Sequence, residues 1–311
     1  MILLPWTGCS PSVSPSPSQE ESRRAEPARP SGEKPAGTVE GFPEGRGAQP
    51  APQPSAAQAQ GWGSLKARFL FDGQPPPPKP IKITADVEFC GKQPLFEEDL
   101  VVNPANRGVA NVLAWFHVTS RRAPPPSPES QVSTQPDVVY LDCKGCRFEP
   151  HVCLLRTDQT LLLRNLNPIG DSVKIDTLFN PGLNIMLPIE NEMRHQFREP
   201  ERLPARVSCT VHPWESGWLL VQSHPYMAVS DKDGRLRMEP VPAGRWTVQF
   251  WHEKSGPISQ AMRAAGPVRW ARGRAELDLQ PGENDLGDIL LAPGLFRESP
   301  AGAGAALPGK T

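Results

Sequence analysis

The sequence has no excess of basic charge: 33 lysines and arginines stand against 34 aspartates and glutamates over 311 residues. A general nucleic-acid or anionic-membrane surface must neutralise phosphates, so no nucleic-acid partner is expected. Nothing in the chain approaches the roughly 18 consecutive apolar residues that a membrane-spanning helix requires. Missing too are a glycine-rich phosphate loop, a Gly-x-Ser-x-Gly elbow and a His-Glu-x-x-His helix. The expectation is a protein that is not an enzyme. Aromatic residues in the first 60 positions are limited to Trp6 and Phe42, and a segment so poor in apolar area cannot fold on its own.

What the sequence has in abundance is proline, 39 residues. Proline removes a backbone donor and clashes inside a helix, so helix bundles and coiled coils are excluded and extended, turn-rich structure is expected. Residues 1–61 read as a disordered Pro/Ser/Ala-rich tether. Pro124, Pro125, Pro126 and Pro128 mark an inserted loop at 121–137, and the Gly/Ala/Pro segment 294–311 reads as a flexible tail.

Between these segments lie short apolar runs with turn punctuation. Candidate strands are Leu65–Phe71, Ile81–Val87, Val109–Val118, Val152–Leu155, Thr160–Arg164, Ser172–Ile175, Arg206–Thr210 and Gly217–Gln222. Further along, Met227–Ser230, Arg235–Glu239 and Trp246–Trp251 repeat the theme around the turns at Asp231–Gly234 and Val241–Gly244. Regular spacing of this kind predicts an all-β protein of β-sandwich type. Asp231 and Asp233 are accounted for by hairpin turn chemistry; the acidic ligands of a calcium loop do not follow them.

Cysteine and histidine carry the chemical signal. In Cys209-Thr210-Val211-His212-Pro213-Trp214-Glu215 a thiolate and an imidazole three residues apart sit on a loop between two strands. Such a pair can face one small metal site of the His₂Cys kind used by blue copper. Cys143 and Cys146 with His151 approach a zinc-knuckle spacing, but Arg156 stands where the last cysteine is required. In an oxidising compartment Cys90, Cys143, Cys146 and Cys153 make two disulfides, with three pairings open. His224 and His252 are expected to be structural.

The loop Cys209–Glu215 resembles the ligand loop of the cupredoxin family, in its amicyanin and plastocyanin-like branch, where it runs Cys-x-x-His-Pro-aromatic-Met. Asn165-Leu166-Asn167-Pro168, then Asp171-Ser172-Val173, stands where those proteins carry an Asn/Asp-rich turn followed by His-Asn-Val. Cys146–Val152, His224-Pro225-Tyr226 and Trp251-His252-Glu253 are similar to bacterial extracytoplasmic methylamine-utilisation or plastocyanin-like proteins, which add a carboxypeptidase-regulatory-like β module.

The resemblance implies a cupredoxin-like Greek-key sandwich at 62–223 and a smaller β module at 224–293. It implies an exported protein with a copper or electron-transfer centre, whose redox partner is not named, and the alternative is a metal-free structural or protein-interaction module. Residue by residue, Cys209 and His212 match two ligands, Asp171 takes the place of the first histidine, and Glu215 that of the axial methionine. Three readings stay open: copper held by Cys209, His212 and an oxygen of Asp171 or Glu215, helped by His151; another divalent ion such as zinc; or a relic in which Cys209 is buried or disulfide-bonded. For the other cysteines the resemblance implies a Cys90–Cys146 bridge, which leaves Cys143 with Cys153. Met1–Cys9 resembles the end of a bacterial lipoprotein signal, implying lipidation at Cys9, an extracytoplasmic location in the periplasm or cell envelope, and membrane contact only through that anchor.

Overall fold

A computed structural model describes residues 61–118, 124–125 and 137–296. Cys9, nearly all of the expected tether, most of the 121–137 loop and the tail beyond Phe296 lie outside the described residues. The chain opens with β1 (Trp62–Phe71), a single helical turn α1 (Val87–Cys90) and β2 (Leu113–Phe116). Next come β3 (Val138–Cys143), β4 (Phe148–Glu149), β5 (Val152–Arg156), β6 (Thr160–Asn165), β7 (Asp171–Asp176), β8 (Leu183–Leu187), β9 (Glu192–His195), β10 (Ala205–Ser208) and β11 (Ser216–Gln222). The last group is β12 (Met227–Val229), β13 (Arg235–Pro242), β14 (Gly244–His252), β15 (Gly256–Pro257), β16 (Gln260–Arg263), β17 (Gly266–Arg269), β18 (Arg274–Leu279) and β19 (Gly282–Leu291). The expected all-β class is what these elements form. Among the described residues no helix is long and apolar enough to cross a membrane.

Strands β3–β11 build one sandwich, with sheets β4-β3-β6-β9 and β5-β11-β10-β7-β8. Alternate residues point into its core: Leu161 and Leu163 of β6, Val173 and Ile175 of β7, Ala205 and Val207 of β10, Leu219 and Val221 of β11, as the two-residue repeat of a strand dictates.

The second sandwich is not confined to the end of the chain. Its sheets are β13-β1-β19-β16-β17 and β12-β2-β14-β15, with β18 also paired to β14. An expected boundary at Ser223 groups β1 and β2 with the first sandwich, whereas the hydrogen-bonded ladders group them with β12–β19. β1 runs parallel to β19 and antiparallel to β13, and β2 lies between β12 and β14. The 138–222 sandwich is thus inserted into a module that the chain leaves after β2 and re-enters at β12. Inward residues of β1 (Leu65, Ala67, Phe69, Phe71), β2 (Ala114, Phe116) and β14 (Trp246, Val248, Phe250) share its core.

The opposite faces of β2 and β14 are buried as well. Leu113, Trp115 and Trp251 pack on Val152 and Leu220 of the inserted sandwich, and the rings of Trp218 and Trp251 meet edge to face at 4.8 Å. A strand covered on both sides needs apolar residues at every position, which is why β2 reads Leu-Ala-Trp-Phe without alternation. The expected strand at Val109–Val118 shrinks to these four residues because Asn111 takes a left-handed conformation, φ 64. The expected strand Ile81–Val87 is absent. Ile81 and Ile83 turn onto the Cys90–Cys146 cluster rather than into a ladder, and left-handed Asp86, φ 43, starts α1.

One glycine is required by close packing. Gly234, at φ +76, ends the turn that abuts β1, and a Cβ there would lie 2.1 Å from the Phe69 carbonyl oxygen. Gly234→Ala is expected to cost roughly 1–3 kcal/mol from backbone strain alone, read as a lowered denaturation midpoint; an unchanged midpoint would show that the turn moves away freely.

Candidate metal centre

The four residues of the ligand-loop region come from two chain segments, the start of β7 and the loop between β10 and β11. β7 opens with Asp171 and pairs antiparallel with β10, placing Ser208 opposite Lys174; Cys209 follows as the first residue of the loop to β11. A tight turn, Glu215 N–H to His212 O at 2.9 Å, and the Cys209 N–H to Glu215 O bond at 3.2 Å fold the loop back on itself. Cys209, His212 and Glu215 thereby point to one spot beside Asp171.

One donor atom from each of Asp171, Cys209, His212 and Glu215 lies within 4.8 Å of the other three. His212 Nδ1 is 3.4 Å from Asp171 Oδ1, 3.3 Å from Glu215 Oε1 and 3.8 Å from Cys209 Sγ. A tetrahedral ion with bonds of about 2.0–2.3 Å has donor-to-donor edges of about 3.3–3.8 Å. The Cys209–Asp171 edge is shorter, 2.9 Å, where the thiol donates to Oδ1. All four residues are buried, none exposing more than 5% of its surface.

Polar neighbours hold the set in place. Asp171 Oδ1 accepts the Ser172 N–H at 2.9 Å, and its Oδ2 accepts from Asn167 Nδ2 at 3.2 Å. The Asn167 side-chain oxygen takes the Gly145 N–H at 2.7 Å, while Asn165 Nδ2 donates to the Ile169 and Leu187 carbonyls at 2.7 and 3.0 Å. The amides of Val211 and His212 donate to Cys209 Sγ at 3.3 and 3.2 Å. Two amide donors favour a thiolate, yet burial, together with the bond to Asp171, pushes the thiol up to about 11.

Glu215 is the least satisfied member. Both of its carboxylate oxygens are buried with no hydrogen-bond donor, and the 3.3 Å approach to His212 Nδ1 lacks hydrogen-bond geometry. Burial, the charge of Asp171 and the hydrogen bond that the protonated group makes with Asp171 push its carboxyl up to about 9, so without a cation it is protonated at neutral pH. A buried carboxyl whose nearest polar neighbours are a second carboxylate, a thiol and an imidazole is a group that a cation could deprotonate and bind.

Outside the cluster, the far nitrogen of His212, Nε2, donates to Asp86 Oδ2 at 2.9 Å. Asp86 is 126 residues away in sequence, in the stretch expected to be a strand, and nothing in the local pattern marks it. The bridge Cys90–Cys146 is formed. The expected Cys143–Cys153 bridge is not: both are buried free thiols. They serve as small apolar core residues, and burial pushes Cys153 up to about 12 and Cys143 higher still.

His151 does not join the cluster. Its Nε2 meets Glu253 Oε1 at 2.5 Å, and its Nδ1 lies 3.6 Å from Glu98 Oε2. Burial alone would depress it, but the two carboxylates raise it to about 9. His224 and His252, expected to be structural, are buried, and burial holds both down at about 4; His224 Nε2 donates to the Phe116 carbonyl at 3.1 Å.

No family model and no curated protein matches the chain. Among solved structures, a mutant of amicyanin in the Cu(I) form is 19% identical over 28% of this chain and 83% of that one, with a TM-score of 0.25. A purple cupredoxin from Nitrosopumilus maritimus is 15% identical over 27% of this chain and 98% of its own, TM-score 0.23. A copper-containing nitrite reductase from Thermus scotoductus SA-01 is 17% identical over 34% of this chain and 25% of its own, TM-score 0.25. At TM-scores this low the likeness says nothing about the ligands of this chain.

Proposed function

We propose that this chain is an exported metal-binding protein that holds one divalent ion in a closed site made by Cys209, His212, Asp171 and Glu215. The observation that carries the reading is the convergence of four buried donors, one from each residue, on one ion-sized spot, with both oxygens of Glu215 left without a hydrogen-bond donor. A sulfur, a nitrogen and two oxygens gathered within 4.8 Å of one another are a donor set that suits zinc. Copper fits less well. A centre that shuttles electrons has to hold Cu(I) as well as Cu(II), and two hard carboxylates oppose the soft monovalent ion. His212 is fully buried and capped by Asp86, which leaves a redox partner no imidazole edge to approach.

With four protein donors and no solvent access there is also no open position for a substrate, which favours a structural or binding role over an enzymatic one. The Cys90–Cys146 bridge supports an oxidising, extracytoplasmic location. A metal-free scaffold is the second reading. It is favoured by one feature: protons alone can satisfy part of the cluster, through the Cys209–Asp171 bond and a neutral Glu215.

Metal loading separates these readings. Dialysed protein is expected to retain one equivalent of zinc or cobalt per chain, with a thiolate-to-cobalt absorption band, and to bind Cu(I) more weakly. Absence of a stoichiometric divalent ion would leave the metal-free scaffold standing, and tighter binding of Cu(I) than of zinc would return the site to copper.

A further inference from the structure

The segment between β1 and β2 reaches the candidate metal centre and touches its histidine from behind. Cys90 ends α1 and is bonded to Cys146, 56 residues on, in the turn between β3 and β4. Ile81, Ile83, Phe89, Leu95, Ile169 and Trp214 pack around that bridge, and the Trp214 ring lies 5.3 Å from that of His212. Asp86 stands at the start of the same turn, with the Cys90 N–H donating to the Asp86 carbonyl at 2.8 Å. The disulfide therefore fixes the piece of chain that carries the Asp86 carboxylate.

That carboxylate accepts a hydrogen bond from His212 Nε2 at 2.9 Å. A carboxylate only accepts, so the imidazole proton is placed on Nε2 and the lone pair of Nδ1 faces Asp171, Cys209 and Glu215. Metal-bound histidines commonly carry such a partner, which sets the tautomer and raises ligand basicity. Two features argue against mere surface decoration. His212 is fully buried while its partner comes from a distant segment, and Asp86 adopts a left-handed backbone, φ 43, that a non-glycine residue takes only at some cost.

We infer that Asp86 is a positioning residue for His212, and that the Cys90–Cys146 bridge locks this clasp so that retention of the ion depends on the oxidation state of the pair. The inference rests on the metal reading for its consequence, though the clasp itself does not. Reduction by a dithiol moves two electrons and two protons to the protein: the Cys90–Cys146 bond breaks to two thiols while the dithiol closes to its own disulfide. Among the described residues no other disulfide is present, since Cys143, Cys153 and Cys209 are thiols.

The test measures zinc release to a chromogenic chelator from the full chain. Reduction uses a water-soluble phosphine, which avoids chelation by a dithiol and becomes the phosphine oxide with oxygen from water as two protein thiols form. Asp86→Gly removes the carboxylate while suiting the left-handed backbone; Asp86→Asn keeps a neutral acceptor. Asp86→Gly is expected to weaken zinc binding about 10- to 100-fold, with Asp86→Asn in between and the reduced wild type releasing zinc faster than the oxidised. If oxidised wild type holds zinc and all these forms release it at the same rate, the inference is overturned while the metal reading stands. If wild type holds no ion, the metal reading fails, and nitrogen-15 spectra of the metal-free imidazole decide the clasp. A proton fixed on Nε2 that becomes averaged in Asp86→Gly and in the reduced chain supports it; the same averaged tautomer in every form overturns it.

Discussion

Cys209→Ala is expected to lower divalent-ion affinity by more than about 100-fold, beyond the 10- to 100-fold typical of losing an outer-shell partner. Cys209 supplies the sole sulfur of the four-atom cluster, and a tetrahedral ion left with three donors in a sealed pocket has no water at hand to complete its shell. Loss of Sγ also leaves the Val211 and His212 amides, which donate to it at 3.3 and 3.2 Å, without their acceptor. Some fall in stability is therefore expected alongside the loss of binding. Cys209→Ser controls for this: its hydroxyl still accepts from the amides, so the fold is kept while the thiolate-to-cobalt band disappears. Titration with cobalt read by absorbance, with circular dichroism as the fold check, measures both. Retention of a full cobalt equivalent by a folded Cys209→Ala chain would place the ion elsewhere and remove the basis of the proposed site.

The second large effect lies where the two sandwiches meet. His151 sits between Glu253 and Glu98, its side chain 7% exposed, and Glu253 Oε2 also accepts the Trp218 indole N–H at 2.8 Å. The carboxylates hold His151 at about 9, against an ordinary value of 6.5. The folded state thus binds a proton that the unfolded state has released between these limits, and stability falls as pH rises through that window. At 1.36 kcal/mol per unit, the contribution is about 3 kcal/mol, fully present below pH 6.5 and lost above about 9. Glu253→Gln takes away the nearer charge and is expected to cost about 3 kcal/mol at pH 6, the lower end for breaking a buried ion pair, because Glu98 remains. Near pH 10 wild type and variant should converge. Urea unfolding of the metal-free chain at both pH values measures this, and an equal loss at both would mean that Glu253 acts through packing on Trp218 rather than through the charge of His151.

Much of the inserted sandwich was legible in the sequence. Runs such as Thr160–Asn165 and Ser216–Gln222 carry three or four consecutive apolar residues, nearly all buried, and end in polar ones. Cys209 and His212 could be nominated because loop spacing is a local property, whereas Asp171 and Glu215 were named only through the resemblance of the loop and of the preceding turn to a known ligand set. His151 was drawn toward the site by that same resemblance. It lies close to Cys146 in sequence, yet a carboxylate more than a hundred positions away, Glu253, claims its ring. The Cys143–Cys153 pairing failed because a buried thiol and a bridged cysteine look alike in sequence and differ only in whether two sulfurs meet.

By itself the sequence determined the strand-forming character of the chain, the absence of long helices, and the chemical types brought to the ligand loop. These follow from proline, alternation and turn residues, which act within a few positions. The tertiary structure alone decided which strands share a sheet, and so that β1 and β2 close a module whose other strands begin at Met227. It also decided that Asp86 caps His212 and that Glu215 is left buried without a donor. Each of these depends on groups brought together across long loops, where hydrogen bonding, burial and charge are set by three-dimensional proximity, and no pattern along the chain encodes that separation.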